Sequence, residues 1–301
     1  ILMDKITVGL PKGIYYYYYG DMLKYFFNNL GINIVISPDT NREIIDEGIK
    51  YSNDEMCYSL KILLGHVSYL KDKCDYLIVP RINNFGKKDQ TCTNFLSFYD
   101  LIKNIFNIKI IDFNIDYLNL ETEVKAFIQM ARKLGVNKKR SLKAYKVALE
   151  KSEKKLLKEI FKNMDKLNSP KTKLLIVAHP YNIYDRYIGK PITTFLEKMD
   201  VEIIYADKFN PKITNKLSTC YSKQLYWKYN KEIIGSIKLV SNQINGIIFL
   251  SAFPCGPDSL VNELVIRKLD LPTLNLVIDD NDSLTGIETR LESFVDIIEQ
   301  K

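Results

Sequence analysis

Residues 246–259 read Gly246-Ile-Ile-Phe-Leu-Ser-Ala-Phe-Pro-Cys-Gly-Pro-Asp-Ser259. A short apolar run is closed by turn-forming residues, which predicts a strand over 246–251. Pro257 suits the first position of a helix, so a helix is expected over 258–269. Strand, loop and helix therefore follow one another directly, and the same alternation extends outward along the chain. In the second half it predicts strands at 174–178, 201–205 and 273–277, with helices at 188–198, 222–243 and 285–299. In the first half it predicts strands at 5–10, 32–36, 75–79 and 108–112. Helices are expected at 15–30, 40–51, 57–71 and near 95–105, with a polar loop at 82–94. Pro80 is read as the end of the third strand. Strands separated by helices imply parallel pairing with right-handed crossovers.

Two further helices, about 120–135 and 139–167, lie between the halves. In the second, Leu142, Tyr145, Leu149, Leu156, Ile160, Met164 and Leu167 recur at helical spacing as one apolar stripe. The expected fold class is α/β, with two Rossmann-like lobes, each a short parallel sheet flanked by helices, and a helical connector. Residues 1–118 form the first lobe, 119–168 the connector and 169–301 the second lobe. A chain of 301 residues is long enough for two such domains.

Composition narrows the function. Hydrophobic residues make up 46% and charged residues 26%, as in ordinary globular proteins. No apolar run reaches the roughly 18–20 residues of a membrane span, and residues 1–5 lack a signal peptide's apolar stretch. A cytoplasmic protein with no membrane partner is expected. The net charge of +7 is concentrated: residues 137–173 hold thirteen Lys or Arg against four acids. That stretch reads first as the exposed face of a helix. It is also able to attract coenzyme A phosphates or an acidic partner, and nucleic acid ranks last because no nucleic-acid motif accompanies the charge.

Five cysteines without a signal peptide argue against a disulfide framework. In open parallel sheets ligands bind at the carboxyl ends of the strands. Cys255 and Cys92 follow strands there, and Cys57 opens a helix. Cys74 lies at the opposite edge and Cys220 in a polar loop, so both read as structural or incidental. Spacing alone matches no compact CxxC signature, and five ordinary thiols remain the plainer reading at this point. His179 follows a strand, with Tyr181, Asn182 and Asp185 nearby, and reads equally as site-lining or structural. His66, inside a helix, reads as structural, and most of the tyrosines at 15–19 as packing. Two histidines and no Gly-x-Ser-x-Gly argue against a serine hydrolase, and no phosphate-loop or dinucleotide motif is present.

A set of short segments resembles one known family over nearly the whole chain. They are Gly9-Leu-Pro-Lys-Gly13 with the tyrosine run, Asp54-Glu-Met-Cys57, Gly65-His-Val67 with Tyr69-Leu-Lys71, and Ile78-Val-Pro-Arg81. Then come His179-Pro-Tyr-Asn182 with Tyr184-Asp185, Cys255-Gly-Pro-Asp-Ser259 and Thr289-Arg-Leu-Glu292. The family is that of the acyl-CoA dehydratase activase-related proteins, relatives of the 2-hydroxyacyl-CoA dehydratase subunits of anaerobic bacteria. The resemblance implies a 4Fe-4S cluster held by Cys57, Cys92 and Cys255, with one iron left open. It implies a separate ATP-hydrolysing activase that delivers a low-potential electron, and an acyl-CoA-type substrate. The activity implied is that of a lyase of the 2-hydroxyacyl-CoA dehydratase type or an ATP-coupled reductase component. A second dehydratase-like subunit or a homodimer would complete the assembly. Glu55, His179 and Asp258 are the candidate catalytic groups beside the cluster. The family's prolines after the first two cysteines are replaced here by Ser59 and Thr93. The alternatives are a non-catalytic cluster- or acyl-CoA-binding subunit, or a metal-free bilobal binding protein.

Overall fold

The computed structural model describes residues 6–280 and 284–300, and the chain divides after residue 155 into two compact units. The first unit runs β1 (Thr7–Leu10), α1 (Tyr16–Leu30), β2 (Asn33–Ile36), α2 (Arg42–Lys50), α3 (Tyr58–Leu70), β3 (Tyr76–Asn84), α4 (Thr93–Ile105), β4 (Ile110–Asp116) and α5 (Glu123–Lys133). Helix α6 (Lys138–Asp165) gives its first part to this unit and its last to the second. The second unit continues with β5 (Lys173–Ala178), α7 (Pro180–Ile183), α8 (Gly189–Lys198), β6 (Glu202–Tyr205), α9 (Pro211–Leu217) and α10 (Lys228–Val240). It ends with β7 (Gly246–Ala252), α11 (Gly256–Ile266), β8 (Thr273–Ile278) and α12 (Leu284–Glu299).

Each unit has a four-stranded, all-parallel sheet, ordered β2-β1-β3-β4 in the first and β6-β5-β7-β8 in the second. The two topologies are identical, and the expected α/β class of paired parallel sheets is what the chain adopts. Strand order reverses between β1 and β3 and again between β5 and β7, which sets a switch point in each unit. The central strands carry continuous apolar runs because both faces are covered; every residue of β7 is buried. In the first unit Phe26, Phe113 and Phe127 are fully buried and meet edge to face, so α5 closes over the β4 side of that core. Burying one such ring stabilises by about 1.5–3 kcal/mol.

Four sequence expectations need correction. Pro80 does not stop β3, which runs on to Asn84 and pairs with β4 from Leu77 to Asn84, with a register shift after Ile82. The Leu77 N–H donates to Lys109 of the β4 side at 2.8 Å, so by alternation the Pro80 nitrogen faces β1. Pairing with β1 ends at Leu77, and the missing donor costs nothing there. The loop expected at 82–94 is shorter for the same reason. The single helix expected over 222–243 is instead α10 alone, preceded by the unpredicted α9. Gln224 N donates to Ser222 Oγ at 3.2 Å, a local turn that competes with helix before Lys228. Helix α9 carries the ordinary start signals, Asn210 accepting from Lys212 N at 3.0 Å and Pro211 in the first turn. The α6 stripe is also only partly buried, since Met164 is 48% exposed while Ala144, Ala148 and Asn163 point inward.

Both units insert a helix pair between their second and third strands, and glycine makes each pair possible. A Cβ on Gly48 would lie 2.0 Å from the Lys61 carbonyl oxygen, and one on Gly65 would lie 1.8 Å from that of Ile44. A Cβ on Gly235 of α10 would lie 1.8 Å from the Thr214 carbonyl of α9. These are backbone obstacles that no rotamer relieves. Gly65→Ala and Gly235→Ala are each expected to cost about 2–3 kcal/mol in urea unfolding. Gly256→Ala, whose Cβ meets nothing within 4 Å, should stay within about 0.5 kcal/mol. Equal stabilities for all three variants would remove the close-contact explanation.

Candidate functional site

At the carboxyl edge of the first sheet, the β1–α1 loop is tied to the loop after β2. Lys12 N donates to Ser37 Oγ at 2.8 Å, and the Lys12 ammonium pairs with Asp39. Thr40 Oγ1 in turn meets His66 Nε2 at 3.1 Å. Ile14 has φ +23°, a value a β-branched residue rarely adopts, and is held there by its burial. Of the tyrosine run, Tyr15 and Tyr19 are core residues. Tyr15 is fully buried and donates to the Ile78 carbonyl at 2.9 Å, and Tyr19 packs edge-on against Phe113. Burial holds the Tyr15 phenol well above its ordinary range.

Cys57 and Cys92 are the N-cap residues of α3 and α4 respectively. Asn94, in the first turn of α4, donates its amide to Cys57 Sγ at 3.6 Å, so the two helix starts are neighbours. Glu55 is exposed in the turn before Cys57, Ser59 is buried in α3, and Thr93 is the exposed first residue of α4. Cys74 is different: its thiol donates to Leu70 O at 3.3 Å, abuts Gly9 and is pushed up to about 11 by burial. Cys220 is exposed at the end of a short 3-10 turn.

At the carboxyl edge of the second sheet, Cys255 is the N-cap residue of α11. Asp258, three residues on, is buried and serves as a hub. It accepts from His179 Nε2 at 2.9 Å, from Asn230 Nδ2 at 2.7 Å and from the Cys255 thiol. Burial alone would raise the Asp258 carboxyl, but the three interactions outweigh it and hold the group below the usual carboxylate range. The Tyr181 ring stacks on His179 with centroids 5.0 Å apart and planes 12° apart. Asp185 caps the approach to α8, accepting from Tyr187 N and Ile188 N at 2.8 and 3.0 Å.

His179, Asp258 and Cys255 thus form one cluster within the second unit. Cys57 and Cys92 belong to the first, as does Glu55. Among the described residues no group of three or more His, Cys, Asp or Glu is assembled for a metal ion. Asn230 and Asn94 were not anticipated. Asn94 carried a signal in its position two residues after Cys92; Asn230, an unremarkable helical position, carried none.

A family model described as the CoA enzyme activase uncharacterised domain (DUF2229) matches residues 7–209, two thirds of the chain. The chain belongs to that family. Its matched region takes in Cys57, Cys92 and His179, while Cys255 and Asp258 lie beyond it. No curated protein matches the chain. Among solved structures, the SBP FpvC in complex with Ni2+ from P. aeruginosa is 11% identical, covering 98% of this chain and 96% of that one, with a TM-score of 0.32. The periplasmic metal binding protein of Candidatus Liberibacter asiaticus is 11% identical, with coverages of 98% and 99% and a TM-score of 0.30. AdcAII of Streptococcus pneumoniae is 12% identical, with coverages of 99% and 98% and a TM-score of 0.28. At such scores the metals bound by those proteins remain properties of those proteins. No helix among the described residues is long and apolar enough to cross a membrane.

Two buried polar groups make testable demands. His66 is fully buried, and burial, reinforced by the Lys12 charge, pushes its imidazole down to about 3. Its folded value is below its unfolded one, so the stability linked to it is complete above about pH 6.5 and is lost as pH falls toward 3. The urea midpoint should therefore drop between about pH 7 and pH 5, and His66→Gln should flatten that drop. Superimposable profiles would show that His66 titrates alike in the folded and unfolded states, and would remove the burial effect. Asp258→Ala leaves His179 and Asn230 without their shared acceptor and should cost about 3 kcal/mol in the same assay. A loss below about 1 kcal/mol would mean that the hub does not organise the fold.

Proposed function

We propose that the chain is an iron–sulfur protein of the 2-hydroxyacyl-CoA dehydratase type, with Cys57, Cys92 and Cys255 as thiolate ligands of a 4Fe-4S cluster. One observation carries it: these three cysteines alone, of five, are N-cap residues of helices eleven or more residues long. A helix N-terminus favours an anionic sulfur, and each of these thiols is only partly buried. Three soft sulfur donors of this kind suit iron–sulfur chemistry, which supports the reading. When bound, such a cluster supplies one-electron chemistry at low potential to an acyl-CoA-type substrate, with one iron open.

The chain's own residues prepare that chemistry. Asn94 orients Cys57 Sγ with an N–H donor that suits the anion. Asp258 accepts from both the Cys255 thiol and His179 Nε2 and so positions Sγ; on ligation the Sγ proton would leave to solvent, which reaches this partly buried thiol. Asn230 and the stacked Tyr181 fix the positions of Asp258 and His179. Glu55, exposed two residues before Cys57, is placed to exchange protons with solvent. Electrons would come from a separate ATP-hydrolysing activase.

Anaerobic expression followed by iron and sulfide analysis, and EPR of the dithionite-reduced protein, tests this. About four irons per chain are expected, lost in Cys57→Ala, Cys92→Ala and Cys255→Ala and retained in Cys74→Ala and Cys220→Ala. An absence of iron after anaerobic reconstitution would overturn the proposal and leave a metal-free binding protein.

A further inference from the structure

Helix α6 buries one apolar row and leaves a second one uncovered. Within the second unit, Ile160 and Asn163 are buried and Leu167 packs on the core, at spacings of three and four. The neighbouring row, Leu157, Phe161 and Met164, is 51%, 69% and 48% exposed. The helix is not free to roll this row inward, because Asn163 holds its rotation. The Asn163 side chain accepts from Tyr205 N at 2.9 Å and donates to Tyr205 O at 3.0 Å. It thereby takes the place of a further strand at the free side of edge strand β6. On the other flank of the exposed row, Lys158 and Lys162 project into solvent one turn apart.

We propose that this strip is a docking face for an acidic protein partner that offers an apolar notch to Phe161. The proposal does not rest on the cluster. Charge decides the occupant: Lys154, Lys158 and Lys162 are exposed along this side of the helix, within a stretch of thirteen basic and four acidic side chains, so the same face of two copies would repel. The exposed row spans only about 10 Å of helix, the size of one protein hot spot and far short of an amphipathic helix lying on a bilayer. Asp165 among the lysines and the lack of Trp or Tyr in the row also fit a partner with discrete charges better than a uniformly anionic lipid surface. An aromatic and a methionine with a lysine border are what a protein groove recognises, the apolar pair giving affinity and the lysines the approach rate.

The test places the photo-crosslinker p-benzoylphenylalanine at position 161 of the full chain in cells and identifies the attached protein by mass spectrometry. That protein is then purified and titrated against the chain by calorimetry at low and high salt. The expected partner is acidic and is lost by about tenfold or more in affinity with Phe161→Ser. With Lys158→Glu and Lys162→Glu together, the salt dependence of binding should shrink. The thermal midpoints of the variants should match wild type, as the substituted side chains are exposed. Three results would each overturn the proposal. They are crosslinks only to a second copy, a partner indifferent to these variants, or binding to phosphatidylglycerol–phosphatidylcholine vesicles that Phe161→Ser abolishes.

Discussion

A strand cannot return to a parallel neighbour through a tight turn; it must climb back along a helix laid across the sheet. Every helix that follows a strand therefore begins at the carboxyl edge, with its unpaired N–H groups beside the loop that has just left the sheet. In this chain that one constraint acts twice, once in each four-stranded sheet. It brings Cys92 and the Lys12 loop to the carboxyl edge of one sheet, and His179, Cys255 and Asp258 to that of the other. Cys57, which caps a helix that follows α2, is set beside the α4 start by Asn94 instead. Parallel pairing thus accounts for the place of Cys92, His179, Cys255 and Asp258.

The same topology places demands on the backbone. Between the second and third strand of each unit the chain fits two helices where one would suffice to cross over. That is possible only if the pair approaches to backbone contact, which Gly48 and Gly65 allow in one unit and Gly235 in the other. The two units thus repeat a solution without repeating a sequence. The Gly65-His66-Val67 segment acquires a plain reason: the glycine admits α2, while the histidine is buried and hydrogen-bonded to Thr40.

Burial gives the second-unit cluster its character. A carboxylate taken out of water must be repaid by donors, and Asp258 has three, from a strand-end loop, from α10 and from its own helix start. The order matters. The carboxylate lies between thiol and imidazole, so the arrangement is not that of a cysteine activated by a histidine base. It instead restrains the thiol proton and fixes the ring.

Much of this could be read from the amino-acid order alone. Short apolar runs such as Ile247–Leu250, each followed by turn residues and a helical pattern, determine a parallel α/β fold, because strand and helix periods are local properties. Cys255 before Pro257, and Cys57 before a helical run, were legible as helix starts on the same grounds. The helix at 211–217 also carried readable signals in Asn210 and Pro211. Only tertiary structure decided the rest. Whether Pro80 ends a strand depends on where β1 stops, and whether Asp258 merely caps a helix or joins His179 and Asn230 depends on three segments far apart in sequence. Which row of α6 is buried was settled by Asn163 reaching the edge of β6. Those outcomes turn on contacts between distant segments, and no periodicity within a segment records what will lie across from it.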